Sequence, residues 1–384
     1  MKATQLFKSF FDSEKAGGLV LLICTVVSLI ISNSAFSRAY LSMWHFEIGS
    51  HSAEHWINDG LMAIFFLLIG LELEREVYIG ELSKIRDAIL PISGALGGML
   101  IPALFYFAFN FGTKTQHGIG IPMATDIAFA IGILSLLGNK VPVSLKVFLT
   151  ALAVIDDLGA IVLIAVFYTK TIYFINLIIS LSIFGILLVM NKLKVKILLP
   201  YLIGGVFMWY FMLNSGVHAT ITGVLLAFAI PFGDGSSKTV SYQLQHYLHK
   251  PVAFIIIPLF ALSNTAIVIG KDLIHTISEN YSLGIIFGLV LGKPIGIVTF
   301  SYLAVITKLT TLPEELNWKK IIGVGLLGGI GFTMSIFVTL LAFDDNEIIN
   351  NSKFMILIAS LISGVIGFIW LYKILSHEKN IEKD

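Results

Sequence analysis

The stretch FLTALAVIDDLGAIVLIAVF, residues 148–167, decides the fold of this chain. It is 20 residues long and almost entirely apolar. A helix of that length, rising about 1.5 Å per residue, covers the roughly 30 Å hydrocarbon core of a bilayer. Asp156 and Asp157 lie in its middle, where a charged side chain costs at least about 2.5–3.5 kcal/mol. The stretch therefore predicts a membrane helix whose two acidic groups serve a specific purpose.

The composition extends this prediction to the whole chain. Hydrophobic residues make up 57% and charged residues 13%, the mean hydropathy is +0.90, and soluble domains carry about 25% charged residues. The formal net charge of +1 offers no basic surface for nucleic acid. Cys24 is the single cysteine, which excludes a disulfide framework or a multi-thiolate metal site. We expect an all-α integral membrane protein surrounded by lipid, with no separate soluble domain in residues 1–384.

Twelve apolar segments fit the length of a membrane span. The first, Ala16 to Ile31, lacks a signal-peptide cleavage pattern and is interpreted as a retained helix. The segments begin near Ala16, Trp56, Ala88, Ile119, Val143, Tyr173, Ile197, Gly216, Val252, Leu283, Ile321 and Phe354. Because twelve is an even number, both termini are predicted on the same side.

Lysine and arginine predict which side that is. Of the 25 basic residues, nineteen fall on the side of the termini, five fall on the other side, and Lys293 lies inside a span. Basic residues accumulate in cytoplasmic loops. The alternation therefore predicts cytoplasmic termini.

The fourth and eleventh segments are interrupted, at GIGIPMATD (118–126) and GLLGGIGFTMS (325–335). Broken backbone at membrane depth is tolerated where it is packed in protein or lines a polar cavity. Each interrupted segment is the middle one of a triplet, spans 3–5 and 10–12. This pattern predicts inverted-topology repeats whose two discontinuous helices cross at the bilayer midplane beside an ion site. The alternative is two glycine-rich faces for close helix packing.

Lys293 is the natural partner for one of the two aspartates, because it also lies deep in an apolar segment, FGLVLGKPIGIVTF (287–300). Neighbouring positions on a helix differ by about 100°. One aspartate can therefore meet Lys293 while the other faces an ion cavity, which predicts an ion- and proton-binding group. The alternative is a static ion pair that only orients helices.

Thr125 and Asp126 close the interruption of the fourth span. An aspartate there would compensate the positive ends of half-helices that meet, or it would simply cap one helix. Asp59, in WINDGLMAIFFLLIG (56–70), is either a cap or part of a cation funnel.

A third set of residues is a candidate for pH control. Glu72 and Glu76 lie one helical turn apart and could gather cations or respond to pH; a solvated helix end is the alternative. His218, His246 and His249 belong to the residue type that changes charge near neutrality; packed or interfacial histidines are the alternative.

Protons and a hard cation compete for the same oxygens of a buried carboxyl group, because burial favours its neutral form. If such a site opens alternately to the two sides, the competition produces exchange. Two acidic groups, or one with the Lys293 ammonium, can carry more than one proton per monovalent ion. Such exchange would be electrogenic.

Six motifs together resemble the NhaA family of sodium/proton antiporters of bacterial inner membranes, a type case of inverted-repeat transporters. They are WINDGLMAIFFLLIGLELERE (56–76), IPMATDIAFAIGIL (121–134), FLTALAVIDDLGAI (148–161), NSGVHATITG (214–223), LGKPIG (291–296) and GGIGFTMSIF (328–337). The resemblance extends from about Phe11 to Leu371.

The resemblance implies roles for individual residues. Asp157 would bind Na⁺ or Li⁺ most directly, and Asp156 would exchange its proton while pairing with Lys293. Thr125 and Asp126 match the crossing of the broken helices, and Asp59 matches the acidic residue of the second span. The pH-responsive group would contain Glu72, Glu76, His246 and His249.

The resemblance also implies what is transported. The expected activity is extrusion of Na⁺ from the cytoplasm in exchange for about two protons, driven by the proton motive force, without a cofactor and without enzymatic chemistry. Gln245 stands where relatives can carry a glutamate, which affects the expected pH set point. The segment from Ser37 to His55 looks shortened where relatives can have a dimerising β-hairpin, so a homodimer is a possibility rather than an expectation.

Two other functions compete with exchange. An intramembrane aspartyl protease needs two aspartates that converge from separate helices, whereas Asp156 and Asp157 are neighbours on one. A sodium-coupled organic-anion symporter on a related fold remains the alternative, which sodium uptake without proton movement would favour.

Overall fold

The computed structural model describes residues 2–168, 172–270 and 273–381. Lys170, Lys271 and Lys383, three of the basic residues used to predict orientation, lie outside the described residues. The chain is 79% helical. A two-stranded antiparallel ribbon, β1 (Glu47–Ile48) with β2 (His51–Ser52), interrupts the helical pattern. A hairpin is therefore present in the segment predicted to be shortened.

Helices follow one another along almost the whole chain. In order, the α-helices are α1 Lys2–Ser32, α2 Ser37–Trp44, α3 Ala53–His55, α4 Met62–Tyr78, α5 Ile85–Asn110, α6 Ile127–Leu136, α7 Val143–Phe167, α8 Phe174–Lys192, α9 Leu198–Leu213, α10 Ile221–Ala229, α11 Val240–Pro251, α12 Ile257–Asn264, α13 Leu273–Ser278, α14 Asn280–Phe287, α15 Lys293–Ile306, α16 Trp318–Gly328, α17 Phe332–Ala342 and α18 Asn346–Ile381. Tighter 3₁₀ turns occupy Glu81–Ser83, Gln116–Met123 and Gly138–Lys140, and wider π turns occupy Trp56–Leu61, Val252–Ile256 and Gly288–Gly292.

Eight continuous helical stretches among the described residues are long and apolar enough to cross a membrane. They are Ala53–Tyr78, Ile85–Asn110, Gln116–Leu136, Val143–Ala165, Phe174–Lys192, Val240–Asn264, Asn280–Ile306 and Asn346–Glu378. The pair α16 and α17, bent by 46°, makes a ninth if it counts as one span. The chain is therefore a multi-pass membrane protein.

Each of the twelve predicted segments coincides with at least one helix, but three of these helices are short. The apolar part of α1 is Ala16–Ser32, α9 is Leu198–Leu213, and α10 contains 9 residues. The number of twelve spans therefore stays a prediction.

Two compact units make up the chain. The first contains the residues up to Ser37, Lys84–Ala160 and those from Asn264 onward, and the second contains Arg38–Ser83 and Ile161–Ser263. All residues proposed to bind ions in the broken-helix region belong to the first unit. The predicted pH-responsive residues and Asp59 belong to the second.

Glycine allows the helices of the first unit to approach closely. A Cβ atom on Gly97 of α5 would overlap the carbonyl oxygen of Gly296 in α15, and one on Gly296 would overlap the carbonyl oxygen of Gly97. Close backbone contact of this kind is how small residues stabilise helix pairs in lipid. Gly97 and Gly296 lie outside the two interruptions, so this contact does not test the packing alternative for the fourth and eleventh segments.

The second unit packs in a similar way. A Cβ atom on Gly223 of α10 would overlap the carbonyl oxygen of Ala63 in α4. Around this contact the core contains Leu71, Tyr201 and Met208, each fully buried. Helices α4, α9 and α10 thereby form a close-packed group that carries Glu72 on one member.

Both interruptions in the first unit have a definite geometry. The 3₁₀ segment ends at Met123, Ala124 and Asp126 are extended, and α6 begins at Ile127. The second interruption separates Gly328 from Phe332. The backbone amide of Asp126 donates a hydrogen bond of 2.7 Å to the carbonyl of Ile330, so the two interruptions touch. That they cross at the bilayer midplane stays a prediction.

Candidate ion site

Asp156 of α7 and Lys293 of α15 form an ion pair inside the first unit. Lys293 Nζ lies 2.5 Å from Asp156 Oδ2, and both side chains are 0% exposed. A buried pair offsets part of the desolvation cost that each charge would have alone. The predicted partnership of Lys293 with one aspartate is therefore present in the structure, and its role in proton transfer stays a prediction.

The backbone around Lys293 explains how its side chain reaches α7. The π turn Gly288–Gly292 directly precedes it. A Cβ atom on Gly98 of α5 would lie 3.7 Å from Lys293 Cδ, which is ordinary van der Waals contact. The lysine stem therefore packs against α5 near Gly98.

Thr125 connects this ion pair to both interruptions. Its hydroxyl group lies 2.7 Å from Asp156 Oδ2 and 2.9 Å from the carbonyl oxygen of Gly328. Asp156 Oδ1 is buried and has no hydrogen-bond partner among the described residues. Three oxygen-bearing groups therefore meet at a point where the broken segments and α7 come together, and oxygen is the ligand that hard cations prefer.

Asp126 caps two helices at once. Its Oδ1 accepts a hydrogen bond of 2.9 Å from the Phe129 amide at the start of α6. Its Oδ2 accepts from the Thr333 amide at 3.1 Å and from the Thr333 hydroxyl at 2.5 Å, at the start of α17. The capping interpretation of Asp126 is confirmed. Because helix N-termini carry partial positive charge, one carboxylate can compensate both.

Asp157 follows Asp156 on α7 and is 1% exposed. It belongs to the same unit as Thr125, Asp126 and Lys293. Its burial satisfies one requirement for a group at which a proton and a cation compete. Direct ion binding by Asp157 is a prediction that these contacts do not test.

Thr333 and the Gly328 carbonyl were not predicted from the sequence. Thr333 follows the glycine-rich interruption GGIG by one residue, and a hydroxyl at the start of a half-helix could have suggested contact with a capping acid. A backbone carbonyl has no signature in the sequence.

The second unit brings together part of the predicted pH-responsive group. His249 Nδ1 lies 3.8 Å from Glu72 Oε1, and Arg75 donates a 3.5 Å hydrogen bond to the Gln245 side-chain oxygen. The Arg75 guanidinium also lies 5.4 Å from the centre of the Tyr242 ring. These contacts join the end of α4 to α11.

Glu76 and His246 have other contacts. Glu76 accepts a hydrogen bond of 3.0 Å from the Glu81 amide, and His246 stacks on Tyr242 at 6.4 Å. Glu74, between Glu72 and Glu76, was not predicted as a functional residue; it is 4% exposed and hydrogen-bonds to Ser241. The spacing of LELERE (71–76) indicates the helix face that carries Glu72 and Glu76, and Glu74 lies on a different face.

Asp59 lies in the π turn Trp56–Leu61, in the second unit. His55 Nδ1 is 3.3 Å from Asp59 Oδ2, and the Trp209 indole donates a 2.9 Å hydrogen bond to the Asp59 carbonyl. His218 Nε2 lies 3.1 Å from the carbonyl oxygen of Tyr168, in the same unit.

None of the residues described in the structure forms a group of three or more His, Cys, Asp or Glu side chains arranged to hold a metal ion. The arrangement in the first unit instead consists of Asp156 Oδ1, the Thr125 hydroxyl and the Gly328 carbonyl oxygen.

Comparison with known proteins identifies the relatives of this chain. The family model described as Na⁺/H⁺ antiporter 1 matches residues 8–371. The Na⁺/H⁺ antiporter NhaA of Flavobacterium psychrophilum is 67% identical over 377 residues, which covers 98% of each chain. The protein of the same name from Cytophaga hutchinsonii is 58% identical and covers 97% of this chain and 96% of the relative.

A solved structure has the same fold. The sodium proton antiporter MjNhaP1 from Methanocaldococcus jannaschii, determined at pH 8, superposes with a TM-score of 0.55 over 96% of this chain and all of that one, at 15% identity. The sequence relatives favour cation exchange over solute symport and over proteolysis. The chain belongs to the NhaA family of Na⁺/H⁺ antiporters and is a secondary transporter rather than an enzyme.

Proposed function

We propose that exchange takes place at Asp157 and Asp156, with Lys293 as the second proton carrier and with Thr125 and Asp126 completing the site. The observation that carries this proposal is the fully buried pair of Asp156 and Lys293, whose carboxylate also meets the Thr125 hydroxyl. Two fully buried charged groups are costly in free energy unless they pair with each other or bind a ligand.

The charges of these groups suggest a cycle. While Asp156 and Lys293 are paired, they are neutral together, and Asp157 carries the remaining negative charge. A proton or a sodium ion can neutralise Asp157. Protonation of Asp157 therefore makes the group of three side chains neutral, which removes the cost of an uncompensated charge in a low dielectric.

The pairing of Asp156 with Lys293 accounts for the release of a second proton. If Asp156 turns from Lys293 to share Na⁺ or Li⁺ with Asp157, the ammonium loses its counter-ion, and burial then favours loss of its proton. Two protons are released for one bound cation, one from Asp157 and one from Lys293. The cycle then moves one net charge and is electrogenic.

Asp126 has a supporting function in this proposal. It compensates the N-termini of α6 and α17, which meet beside the ion site. Because the Asp126 carboxylate compensates both helix ends, the binding or loss of one cation changes the net charge of the ion site.

The proposal includes the membrane arrangement. We infer twelve spans with inverted repeats at spans 3–5 and 10–12, discontinuous spans 4 and 11 that cross at the midplane, and cytoplasmic termini in a bacterial inner membrane. The contact of the two interruptions through Asp126 and Ile330 and the distribution of basic residues support it. Dimerisation through the segment Ser37–His55, which contains the β1–β2 ribbon, is compatible with it.

Regulation by pH is assigned to Glu72, Glu76, His246, His249 and His218, with Asp59 as part of the cation funnel. The contact of Glu72 with His249 at 3.8 Å supports this assignment, because each of two neighbouring ionisable groups changes the proton affinity of the other. Gln245 lies beside Arg75 and adds no charge of its own.

The test uses purified protein in liposomes that are acidic inside and contain a trapped pH dye. External Na⁺ or Li⁺ should raise the internal pH with the wild type, and Asp157→Asn should abolish this response. Asp234→Asn, which removes an exposed carboxylate in a loop, is the matched control and should transport normally. A silent wild type, or an active Asp157→Asn protein, would contradict the proposal.

Lys293 needs a separate measurement. Lys293→Gln should change the number of protons exchanged per sodium ion, determined from the reversal potential at known ion gradients. An unchanged ratio and unchanged voltage dependence would mean that Lys293 carries no proton.

A further inference from the structure

The hydroxyl group of Ser335 connects α17 to the interrupted fourth segment. Ser335 Oγ donates a hydrogen bond of 2.7 Å to the carbonyl oxygen of Ile121, and both residues are 0% exposed. Ile121 lies near the end of the 3₁₀ turn Gln116–Met123. Ser335 belongs to the motif GGIGFTMSIF (328–337), but sequence analysis assigned it no function.

The Ile121 carbonyl needs a partner from outside its own segment. The last carbonyl groups of a helix have no amide within that helix from which to accept a hydrogen bond, and Ala124 is already extended. A buried backbone carbonyl without a hydrogen bond is costly in free energy. The bond from Ser335 satisfies this carbonyl and thereby ties the end of the 3₁₀ turn to α17.

The direction of the Ser335 hydroxyl is unusual for a serine within a helix. Such hydroxyl groups often donate to the carbonyl four residues earlier in the same helix, as Thr339 does to the Ser335 carbonyl at 2.8 Å. Ser335 instead donates to another segment. A Cβ atom on Gly331 would overlap Ser335 Oγ, so the bare backbone at position 331 leaves space for this hydroxyl group.

Further contacts hold the interrupted segment on the other side of its break. The Asp126 amide donates a hydrogen bond of 2.7 Å to the Ile330 carbonyl, and Asp126 Oδ2 accepts one of 2.5 Å from the Thr333 hydroxyl. Ile121 and Asp126 are therefore both bonded to α17 or to the residue before it. The four residues between them, Pro122 to Thr125, are held at both ends.

Thr125 is the last of these four residues and makes the contact with the ion site. Its hydroxyl group lies 2.7 Å from Asp156 Oδ2 and 2.9 Å from the Gly328 carbonyl oxygen. If the Ile121 end were released, Thr125 would shift relative to Asp156. Residues that orient the ligands of a metal ion without touching the ion typically change its affinity by about 10–100-fold.

We propose that Ser335 is a positioning residue for sodium binding, because its hydrogen bond to the Ile121 carbonyl sets the distance between Thr125 and Asp156. This inference rests on the proposed function, in which Thr125 and Asp156 belong to the exchange site. Ser335 acts through the backbone of the interrupted segment and does not itself bind the ion.

The test measures the apparent Km for Na⁺ in the liposome assay with the full-length protein. Ser335→Ala removes the donor, and its Km should rise by about tenfold, the lower end of the range for residues that orient ligands. A variant that is merely less stable lowers the maximal rate, because fewer molecules are folded, and leaves the Km of the folded molecules unchanged. The rise in Km therefore reports on positioning.

Two conservative variants distinguish donation of a hydrogen bond from binding of the ion. Ser335→Thr keeps a hydroxyl group and should have a Km close to that of the wild type, and Ser335→Cys, with its weaker S–H donor, should be intermediate. Sulfur is a poor ligand for a hard cation. If Ser335 bound Na⁺ directly, Ser335→Cys would be as impaired as Ser335→Ala. That result, or a Ser335→Thr protein that behaves like Ser335→Ala, would overturn the inference.

Thr339→Val is the matched control. Thr339 lies one turn further along α17 and is also 0% exposed, but its hydroxyl group donates within its own helix. The substitution removes a buried hydrogen bond without releasing another segment, so the Km should equal that of the wild type. An equal rise in Km for Thr339→Val and Ser335→Ala would show that the effect is not specific to the Ile121 contact.

The wild type separates failure of this inference from failure of the proposed function. If the wild type exchanges ions and Ser335→Ala has the same Km, the positioning role is wrong while the proposed function stands. If the wild type itself gives no response to Na⁺ in the liposome assay, the proposed function has failed and this inference fails with it.

Discussion

The stability of the folded protein depends on the buried ion pair between Asp156 and Lys293. Each side chain is 0% exposed, and the distance between Nζ and Oδ2 is 2.5 Å. Breaking a buried pair by removing one partner costs more than removing both, because the remaining charge stays buried without compensation. The stability of the variants can therefore report on the pair without a transport assay.

Asp156→Asn should lower the free energy of unfolding by about 3–5 kcal/mol, and the double variant Asp156→Asn with Lys293→Gln should lower it by less than the sum of the single changes. Thermal unfolding of purified protein in detergent measures the differences. Glu378→Gln is the control: Glu378 pairs with Lys320 at 2.9 Å but is 39% exposed, so its loss should cost at most about 1 kcal/mol. Additive effects in the double variant would contradict the coupling.

The sequence predicted the groups of the candidate site better than their contacts. Asp156 and Lys293 could be predicted as partners because few ionisable side chains occur deep in the apolar segments. The Gly328 carbonyl and the Thr333 hydroxyl could not, because they reach the site only where two interruptions far apart in the sequence meet.

At the scale of helices, π turns occur beside several candidate residues. Asp59 lies within one, Lys293 directly follows another, and the third begins three residues after His249. A π turn accommodates one extra residue per turn, so it rotates the side chains that follow relative to a regular helix. Hydrophobic periodicity does not reveal such turns, because one added residue barely alters the pattern. The interruptions at Pro122 and Gly328 were predictable, since proline and glycine mark them directly.

Close packing of α5 against α15 should be essential for the position of Lys293. In Gly97→Ala, the new methyl group would overlap the Gly296 carbonyl, so the helices must separate. We expect a loss of stability of about 1–3 kcal/mol, as in other overpacked interiors, together with impaired exchange. Thermal unfolding and the liposome assay measure the two effects.

Gly185→Ala is the corresponding control in α8. A Cβ atom there meets nothing within 4 Å, and alanine favours a helix by about 1 kcal/mol over glycine. The control should be as stable as the wild type or more so. A Gly97→Ala protein that behaves like this control would show that the close approach of α5 and α15 is not required.

For the whole molecule, the short helices decide the number of membrane crossings. With 16 residues, α9 covers roughly 24 Å at 1.5 Å per residue, and α10 has 9 residues, which is less than a regular span needs. Composition predicted a membrane protein throughout and was right. The number of crossings could not be obtained in the same way, because the length of an apolar run does not fix how deeply its helix enters the bilayer.

Labelling of single cysteines decides whether α9 and α10 each cross the membrane. In a Cys24→Ser background, which lacks cysteine, one cysteine replaces Lys192, Asn214 or Ser237, all positions outside the buried core. These positions lie before α9, between α9 and α10, and after α10. If both helices cross, an impermeant maleimide should label Asn214→Cys only in right-side-out vesicles and the other two only in everted vesicles. If neither crosses, all three positions react from the same side. The distribution of basic residues would then be unchanged, because no lysine or arginine lies between α9 and α10. Both termini would still share a side, because two crossings are lost together.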